Sequence, residues 1–415
     1  MFRNFLLATL AAALTLPAAN DAEILKVLAL ATQSTASPEF RQALSQALPD
    51  KARLAGASLA YGGEFLYVIE GAPSARLQVD DQPVPLTASG NLLLYRTILK
   101  TGRSHSMQWF ADGVTPGPRA DQSAYLPGNY PRPGVSQGTL SPKMIGESKI
   151  YPGLKYDWWT YVPAQYDGST PMAVMIWQDG QGHVQRDGAA RTLNVIDNLT
   201  HDKKIPVMIS IFISPGFVGT ERWRSIEYDS VNDTYARYLR DEILPEVAKK
   251  YKIRMDSYSR AIAGNSSGGI CAFNAAWFMP DQFSRVISRV GSFTSIQWKP
   301  GVLDGGNVYP NIVRKQAKRN IRIHMTDGNE DLENNHGSWP LQNIQMVNSL
   351  KMREYDFHFF FGNSAHGSSQ GNADLPDAMV WLWRDYDPAK TEQVYTMDPA
   401  EKSKPYFRVA TLNRE

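Results

Sequence analysis

Apolar positions along this chain change their pattern more than once, and each change predicts a change of architecture. Residues 5–16 form an unbroken apolar run behind the short basic lead Met1-Phe2-Arg3-Asn4, and the small residues Pro17-Ala18-Ala19 follow. That order predicts a secretory signal over residues 1–19, cleaved near Ala19. Ser37-Pro38-Glu39-Phe40 then places proline near a first helical position with an acid in the first turn, predicting a short helix to about Leu48. From Glu64 the texture becomes strand-like: residues 65–69, 75–79, 92–99 and 106–110 are rich in aliphatic and aromatic side chains and are separated by turn residues. Residues 20–113 are therefore expected to form a helix and a small immunoglobulin-like β-sandwich. Residues 114–138, dense in Pro, Gly and Ser, read as a linker.

Beyond the linker the apolar runs are longer and alternate with helical patterns. Residues 143–150 and 155–162 read as strands, and residues 172–177 and 207–213 as strands buried on both faces, with a helical stretch to Leu199 between the last two. Residues 235–251 read as a long amphipathic helix, residues 261–263 as another buried strand and residues 270–278 as a helix. Such alternation predicts an α/β domain over residues 139–389, a mostly parallel sheet with helices on both faces. The polar stretch 390–415 reads as a surface tail, and no internal repeat is visible.

Composition narrows the partners. With 415 residues and 43% hydrophobic content the chain has ample material for a large core and for two or three domains. A formal charge of +2 excludes the basic stripe of a nucleic-acid binder. No run after the leader approaches the ~18 apolar residues of a membrane span, so the mature chain is expected to be exported. Cys271 is the only cysteine, which rules out an intramolecular disulfide, and its helical position fits a small buried hydrophobe. Neither a Cys/His cluster nor a phosphate-binding glycine loop is present, so no metal or other cofactor is expected.

The candidate chemistry centres on Gly264-Asn265-Ser266-Ser267-Gly268. A Gly-x-Ser-x-Gly sequence between a buried strand and a helix is the setting of a nucleophile elbow, in which a sharp turn lifts the serine hydroxyl clear of the sheet. Ser266 takes the nucleophile position, with Ser267 the rival one residue late. A serine hydroxyl needs a base oriented by an acid. His324 and His358 lie inside strand-like runs, whereas His366 sits in the loop Gly362-Asn363-Ser364-Ala365-His366-Gly367, just past a strand. His366 is the expected base. Three carboxylates compete for the acid, Asp327, Glu330 and Asp331, all following the strand that ends near Met325. Asp327 is nearest that strand and able to fix its turn; Asp331 is placed to reach back towards the histidine loop. The order Ser266, acid, His366 is that of α/β-hydrolase triads. Backbone N–H groups of Gln181, in the turn Asp179-Gly180-Gln181-Gly182, and of Ser267 are the expected oxyanion donors. Arg222, Trp223 and Arg224 are candidates for gripping an anionic or aromatic substrate, with His336 and Trp339 on another part of the rim and His183 as a further cleft residue.

On these residues the stretch 142–387 resembles the putative-esterase family of α/β-hydrolases. The segments that carry the resemblance are Gln178-Asp179-Gly180-Gln181, Gly264-Asn265-Ser266-Ser267-Gly268-Gly269, residues 327–340, and His366 ahead of Leu375-Pro376-Asp377-Ala378-Met379-Val380-Trp381-Leu382-Trp383. The family places its acid in a Gly-x-x-Asp sequence, which Gly328-Asn329-Glu330-Asp331 matches; the resemblance therefore favours Asp331. It implies an enterochelin esterase-like or esterase D-like serine hydrolase of carboxylic esters, acting on a small-molecule or glycan ester. Feruloyl or acetylxylan ester hydrolysis and acyl transfer are the alternatives within the family. A protein that only holds a glycan or siderophore is the alternative outside it.

Overall fold

The structure, a computed structural model, describes residues 19–111 and 117–408. The expected leader up to Ala18, linker residues 114–116 and tail residues 409–415 lie outside the described residues. The described residues divide into two compact units: 19–78, 82–99, 108–111 and 117–118 in the first, and 79–81, 100–107 and 119–408 in the second.

In the first unit, Ala57–Tyr61, Glu64–Glu70, Leu92–Ile98 and Thr87–Ser89 form a four-stranded antiparallel sheet. Leu59, Leu66, Val68, Leu92 and Leu94 pack under two helices, Asp21–Gln33 and Pro38–Ala47, which contribute Val27, Leu28, Phe40 and Leu44. This helical layer was not part of the expected immunoglobulin-like sandwich, and a second four-stranded sheet, in the order Gln82–Val84, Arg76–Val79, Arg103–Phe110 and Ala120–Ala124, also forms from this stretch. The second helix begins as predicted, with Ser37 accepting the Phe40 N–H and proline at its start. Helix Asp21–Gln33 was not foreseen, because it starts directly behind the leader; its signal is Asn20 and Glu23, which cap each other's backbone.

The second unit is built on one mixed sheet. From one edge its strands run Glu221–Arg222, Phe217–Val218, Leu154–Val162, Met208–Ile213, Ala173–Gln178, Arg260–Asn265, Arg285–Arg289, Arg322–Glu330 and Asp356–Ala365. Thr139–Leu140 and Met144–Glu147 also pair with Leu154–Val162. The six strands from Met208–Ile213 to Asp356–Ala365 are mutually parallel, and antiparallel pairing is confined to the side of Leu154–Val162. Strand alternation divides the core. Val174, Ile176, Ile209, Ile211 and Ile262 face one layer, which includes Phe273 and Trp277; Ala173, Met175, Trp177, Phe212 and Ala263 face the other, which includes Ile196, Leu199, Met379 and Leu382. Helices therefore cover both faces, as the uniformly apolar strands require. Among the described residues no helix is long and apolar enough to cross a membrane.

Three readings change in detail. The long helix expected over residues 235–251 is Thr234–Tyr238 and Leu244–Ala248 joined by a π-helical turn, Leu239–Ile243. Pro245 has no N–H to give the preceding turn, and a widened turn absorbs the missing bond. The described part of the expected linker is fixed in place. Ala120–Ala124 pairs with residues 103–107, Asn129 and Tyr130 are buried, and the Asn198 amide donates to the carbonyls of Gly128 and Tyr130 at 2.9 and 2.8 Å. The expected surface tail is docked as well. Tyr395 is buried under the guanidinium groups of Arg285 and Arg322, and Asn320 exchanges hydrogen bonds with the backbone of Gln393 and Tyr395. Buried arginines at the start of two strands need a π face and carbonyls around them, and the tail supplies the former.

Candidate functional site

Ser266 stands between the strand Arg260–Asn265 and the helix Ser267–Phe278 with φ 57° and ψ −123°. A non-glycine residue in that region carries strain that only a tightly determined turn holds. The determinants are visible. Its N–H donates to the Arg289 carbonyl at 2.8 Å, and its own carbonyl accepts from Gly269, Ile270 and Ser292. A Cβ on Gly264 would lie 2.3 Å from the Gly268 carbonyl oxygen, and one on Gly269 would lie 3.0 Å from that of Arg289. The glycines are therefore required by the closeness of strand to helix. The N–H groups of Ser267 and Gly268, the first two of the helix, have no intrahelical acceptor.

His366 lies on the loop that follows Asp356–Ala365, with its Nε2 2.9 Å from the Ser266 hydroxyl oxygen and its Nδ1 2.5 Å from Oδ1 of Asp331. Nδ1–H donates to the carboxylate, which leaves Nε2 as the acceptor for the serine O–H. The Asp331 side chain has no exposed surface and its Oδ1 also accepts the Leu332 N–H. Of the other two acids, Glu330 is exposed and takes the Asn329 amide, while Asp327 is buried on its strand and takes the Gly328 N–H. His324 and His358 stack on each other, and both meet the Trp381 ring at an angle.

Two side chains complete the surroundings of the hydroxyl. Ser292 Oγ is 3.3 Å from Ser266 Oγ, and it accepts the indole N–H of Trp339 at 3.1 Å. Trp339 is buried and meets the His366 ring edge-on at 5.7 Å, so it backs the imidazole and does not stand on the rim where sequence reasoning put it. Ser292 was missed; nothing in the local sequence distinguishes it from an ordinary loop serine.

Gly180–Gly182 forms a single 3₁₀ turn after Ala173–Gln178, and Gln181 within it is exposed. Asp179 enters the turn with φ 53°, its N–H donating to the Tyr228 hydroxyl. Arg224 holds Asp179 from the other side by a two-pronged pair, Nε to Oδ1 at 2.8 Å and Nη2 to Oδ2 at 2.7 Å, and Nη2 also reaches the Asn265 carbonyl at 3.3 Å. Arg224 thus joins the turn to the residue before Ser266. It is committed to Asp179, which the sequence marks only as part of the turn, and only Arg222 of the two expected gripping arginines is exposed, its nearest carboxylate contact being Asp179 at 3.8 Å. Trp223 is half-buried against the core. His336 is half-buried, and its carbonyl accepts from Ser295. His183 is buried against Trp177 and Phe212 and bonded to Thr192, with burial pushing its imidazole down to about 4; it is no cleft residue. Below the turn, burial pushes the Glu227 carboxyl up to about 7 and that of Asp229 up to about 6.

The histidine loop is held from two directions. Asn265 donates to the Ser368 hydroxyl at 3.0 Å, which ties the loop to the elbow. The segment ahead of the sheet holds its other side: Asp121 Oδ2 accepts the Ala365 N–H at 2.6 Å, Arg119 donates to the Asn363 carbonyl and Ser104 N–H to Gln370. A separate cavity of about 560 Å³, lined by Thr170, Met172, Lys204, Trp383 and Tyr386, adjoins the start of strand Ala173–Gln178, at the opposite end from the elbow.

Comparison with known proteins gives the family and the fold. A family model described as "Putative esterase" matches residues 152–382. The iron(III) enterobactin esterase of Dickeya dadantii is 26% identical over 179 residues, 39% of this chain; the match spans 40% of that relative's length. Among solved structures, the enterobactin esterase of Shigella flexneri with 2,3-dihydroxy-N-benzoyl-glycine is similar at a TM-score of 0.55 and 15% identity, over 80% of this chain and 97% of that one. Ferric enterobactin esterase of Salmonella typhimurium gives a TM-score of 0.52 at 17% identity, over 80% of this chain and 98% of that one. At these identities the structural likeness speaks for the fold.

Proposed function

The chain belongs to the putative-esterase family, and from that premise we propose that it is a serine hydrolase of carboxylic esters, enterochelin esterase-like, working through an acyl-enzyme on a triad of Ser266, His366 and Asp331. The observation that carries this reading is the single imidazole bonded on one side to the Ser266 hydroxyl and on the other to a buried carboxylate. Ser266 Oγ attacks the ester carbonyl carbon as its proton passes to His366 Nε2. The negative oxygen that forms is held by the N–H groups of Gln181 and Ser267. As the C–O bond to the alcohol breaks, the same proton goes from Nε2 to the leaving oxygen. Water then attacks the acyl carbon as its proton passes to Nε2, the bond to Ser266 Oγ breaks, and Nε2 returns that proton to Oγ, releasing the acid and the free serine. Asp331 keeps Nδ1 protonated and stabilises the imidazolium. The leader-like residues 1–19 support export of the mature protein to the periplasm or beyond, and exposed Arg222 is the side chain offered to an anionic or catecholate substrate.

Fluorophosphonate labelling with peptide mapping tests this. The expected adduct is on Ser266 and is lost in His366→Ala, and Ser266→Ala or His366→Ala lowers the rate on a short-chain aryl ester by ~10⁴ to 10⁶. Absence of an adduct on folded protein, with ligand retained, would refute catalysis and leave a binding protein.

A further inference from the structure

Asp327 competes with Asp331 in the sequence for one role, and the structure separates them into two. Asp331 spends Oδ1 on His366 and the Leu332 N–H, and Asp327 spends Oδ1 on the Gly328 N–H. Their remaining oxygens, Oδ2 of each, are buried and unpartnered, as is Oδ1 of Asn343. The Asn343 amide has both its N–H groups committed, to the carbonyls of Gly291 and Trp339 at 2.9 and 3.0 Å. Asp331 and Asn343 are the side chains that face Asp327 within hydrogen-bonding reach. Three buried acceptors in one cluster with no donor among them mean that a proton is missing from the count.

We propose that Asp327 is a neutral carboxylic acid whose O–H donates to Oδ2 of Asp331, making it a positioning residue for the triad acid. Burial first, then the hydrogen bond to Asp331 and its charge, raise the Asp327 carboxyl well above the usual carboxylate range, which favours the protonated form. The alternative, two carboxylates ionised side by side without a cation, is the costlier arrangement. With this bond Asp331 is held by three donors, the Leu332 N–H, the imidazole N–H and the Asp327 O–H, and its second oxygen cannot swing to take the imidazole in another geometry. The inference rests on the reading of Asp331 as the triad acid.

Two measurements on the full chain test it. The first is the infrared carbonyl band of a protonated carboxyl at pH 8, taken as the difference between wild type and Asp327→Asn; the expected result is a band present in wild type and absent from the variant. The second compares kcat for Asp327→Leu and Asp327→Asn on the same aryl ester. Leucine removes the donor, and a lost bond to a charged group lowers kcat by roughly ten- to a hundredfold. Asparagine keeps an N–H for Asp331 and an oxygen for Gly328, and recovers the rate to within about threefold of wild type. No band, asparagine as damaging as leucine, or leucine as active as wild type would each overturn the proposal. The infrared result needs no folded leucine variant. Asp331→Asn with wild-type kcat would instead refute the triad reading, and the Asp327 band is read independently of it.

Discussion

Gly180 and Gly182 sit in the same five-residue stretch and look interchangeable in sequence, yet the structure assigns them opposite tolerance. A Cβ on Gly180 would lie 2.3 Å from the Ile213 nitrogen and 2.5 Å from the Phe212 carbonyl carbon, whereas one on Gly182 would meet nothing within 4 Å. The neighbours at Gly180 are backbone of a fully buried strand and cannot give way. The turn itself must move, by about 1 Å to restore ordinary contact, and it carries the Gln181 N–H with it. Loss of one oxyanion donor costs roughly 10²- to 10³-fold in kcat, and an ångström of misplacement alone is worth about 10². Gly180→Ala is therefore expected to lower kcat by at least about a hundredfold with little change in KM, while Gly182→Ala stays within about twofold. Stopped-flow hydrolysis of a p-nitrophenyl ester, with circular dichroism and melting of each variant, makes the comparison. Gly180→Ala within threefold of wild type, or equal losses in both variants, would refute the placement of the oxyanion donor on this turn.

The remaining predictions concern the same neighbourhood. Arg224→Ala removes the two-pronged hold on Asp179 and is expected to lower kcat by roughly ten- to a hundredfold; Arg224→Lys recovers only part, because an ammonium cannot reproduce the fork. A raised KM for anionic esters with kcat unchanged would make Arg224 a substrate-gripping residue instead. Glu227 binds its proton more tightly in the folded chain, with a value of about 7 against 4.5. Its contribution to stability is complete below pH 4.5 and is lost as pH rises to about 7, on the order of 3 kcal/mol in total. Glu227→Gln should thus gain stability relative to wild type across that window in urea titrations. His183, depressed to about 4, slopes the other way below pH 6.5 but cancels in this comparison. A difference that stays constant from pH 4.5 to 8 would contradict the buried-carboxyl assignment.

The sequence showed the hydrolase sheet clearly where strands were apolar on both faces, as at Ala173–Gln178 and Met208–Ile213. It hid the strand Arg285–Arg289, whose two arginines and serine break the apolar pattern; both arginines are buried, and Arg285 is held by the carbonyls of Tyr258 and Leu382 and by the rings of Tyr258 and Trp383, from distant parts of the chain. Asp331 stood apart from Asp327 only through the resemblance to the family's Gly-x-x-Asp sequence; Ser266 and His366 were legible because an elbow and a post-strand glycine loop are local. Ser292, Asp179 and the backing role of Trp339 were not, since each depends on which loops the fold brings to the ends of neighbouring strands. The tail misleads for a different reason: a mainly polar segment reads as solvated, and Tyr395, which packs under two buried arginines, carries no local periodicity.

The stretch matched by the family, residues 152–382, does not hold all the residues on which the site depends. Asp121, Arg119 and Ser104 lie ahead of it and bond to the loop that carries His366. A gene fragment cut at the family boundary would encode the nucleophile, the base and the acid, and would leave behind the residues that hold the base in register. Domain shuffling in such a lineage is constrained accordingly: the leading segment travels with the hydrolase, or the histidine loop must be re-anchored by whatever replaces it.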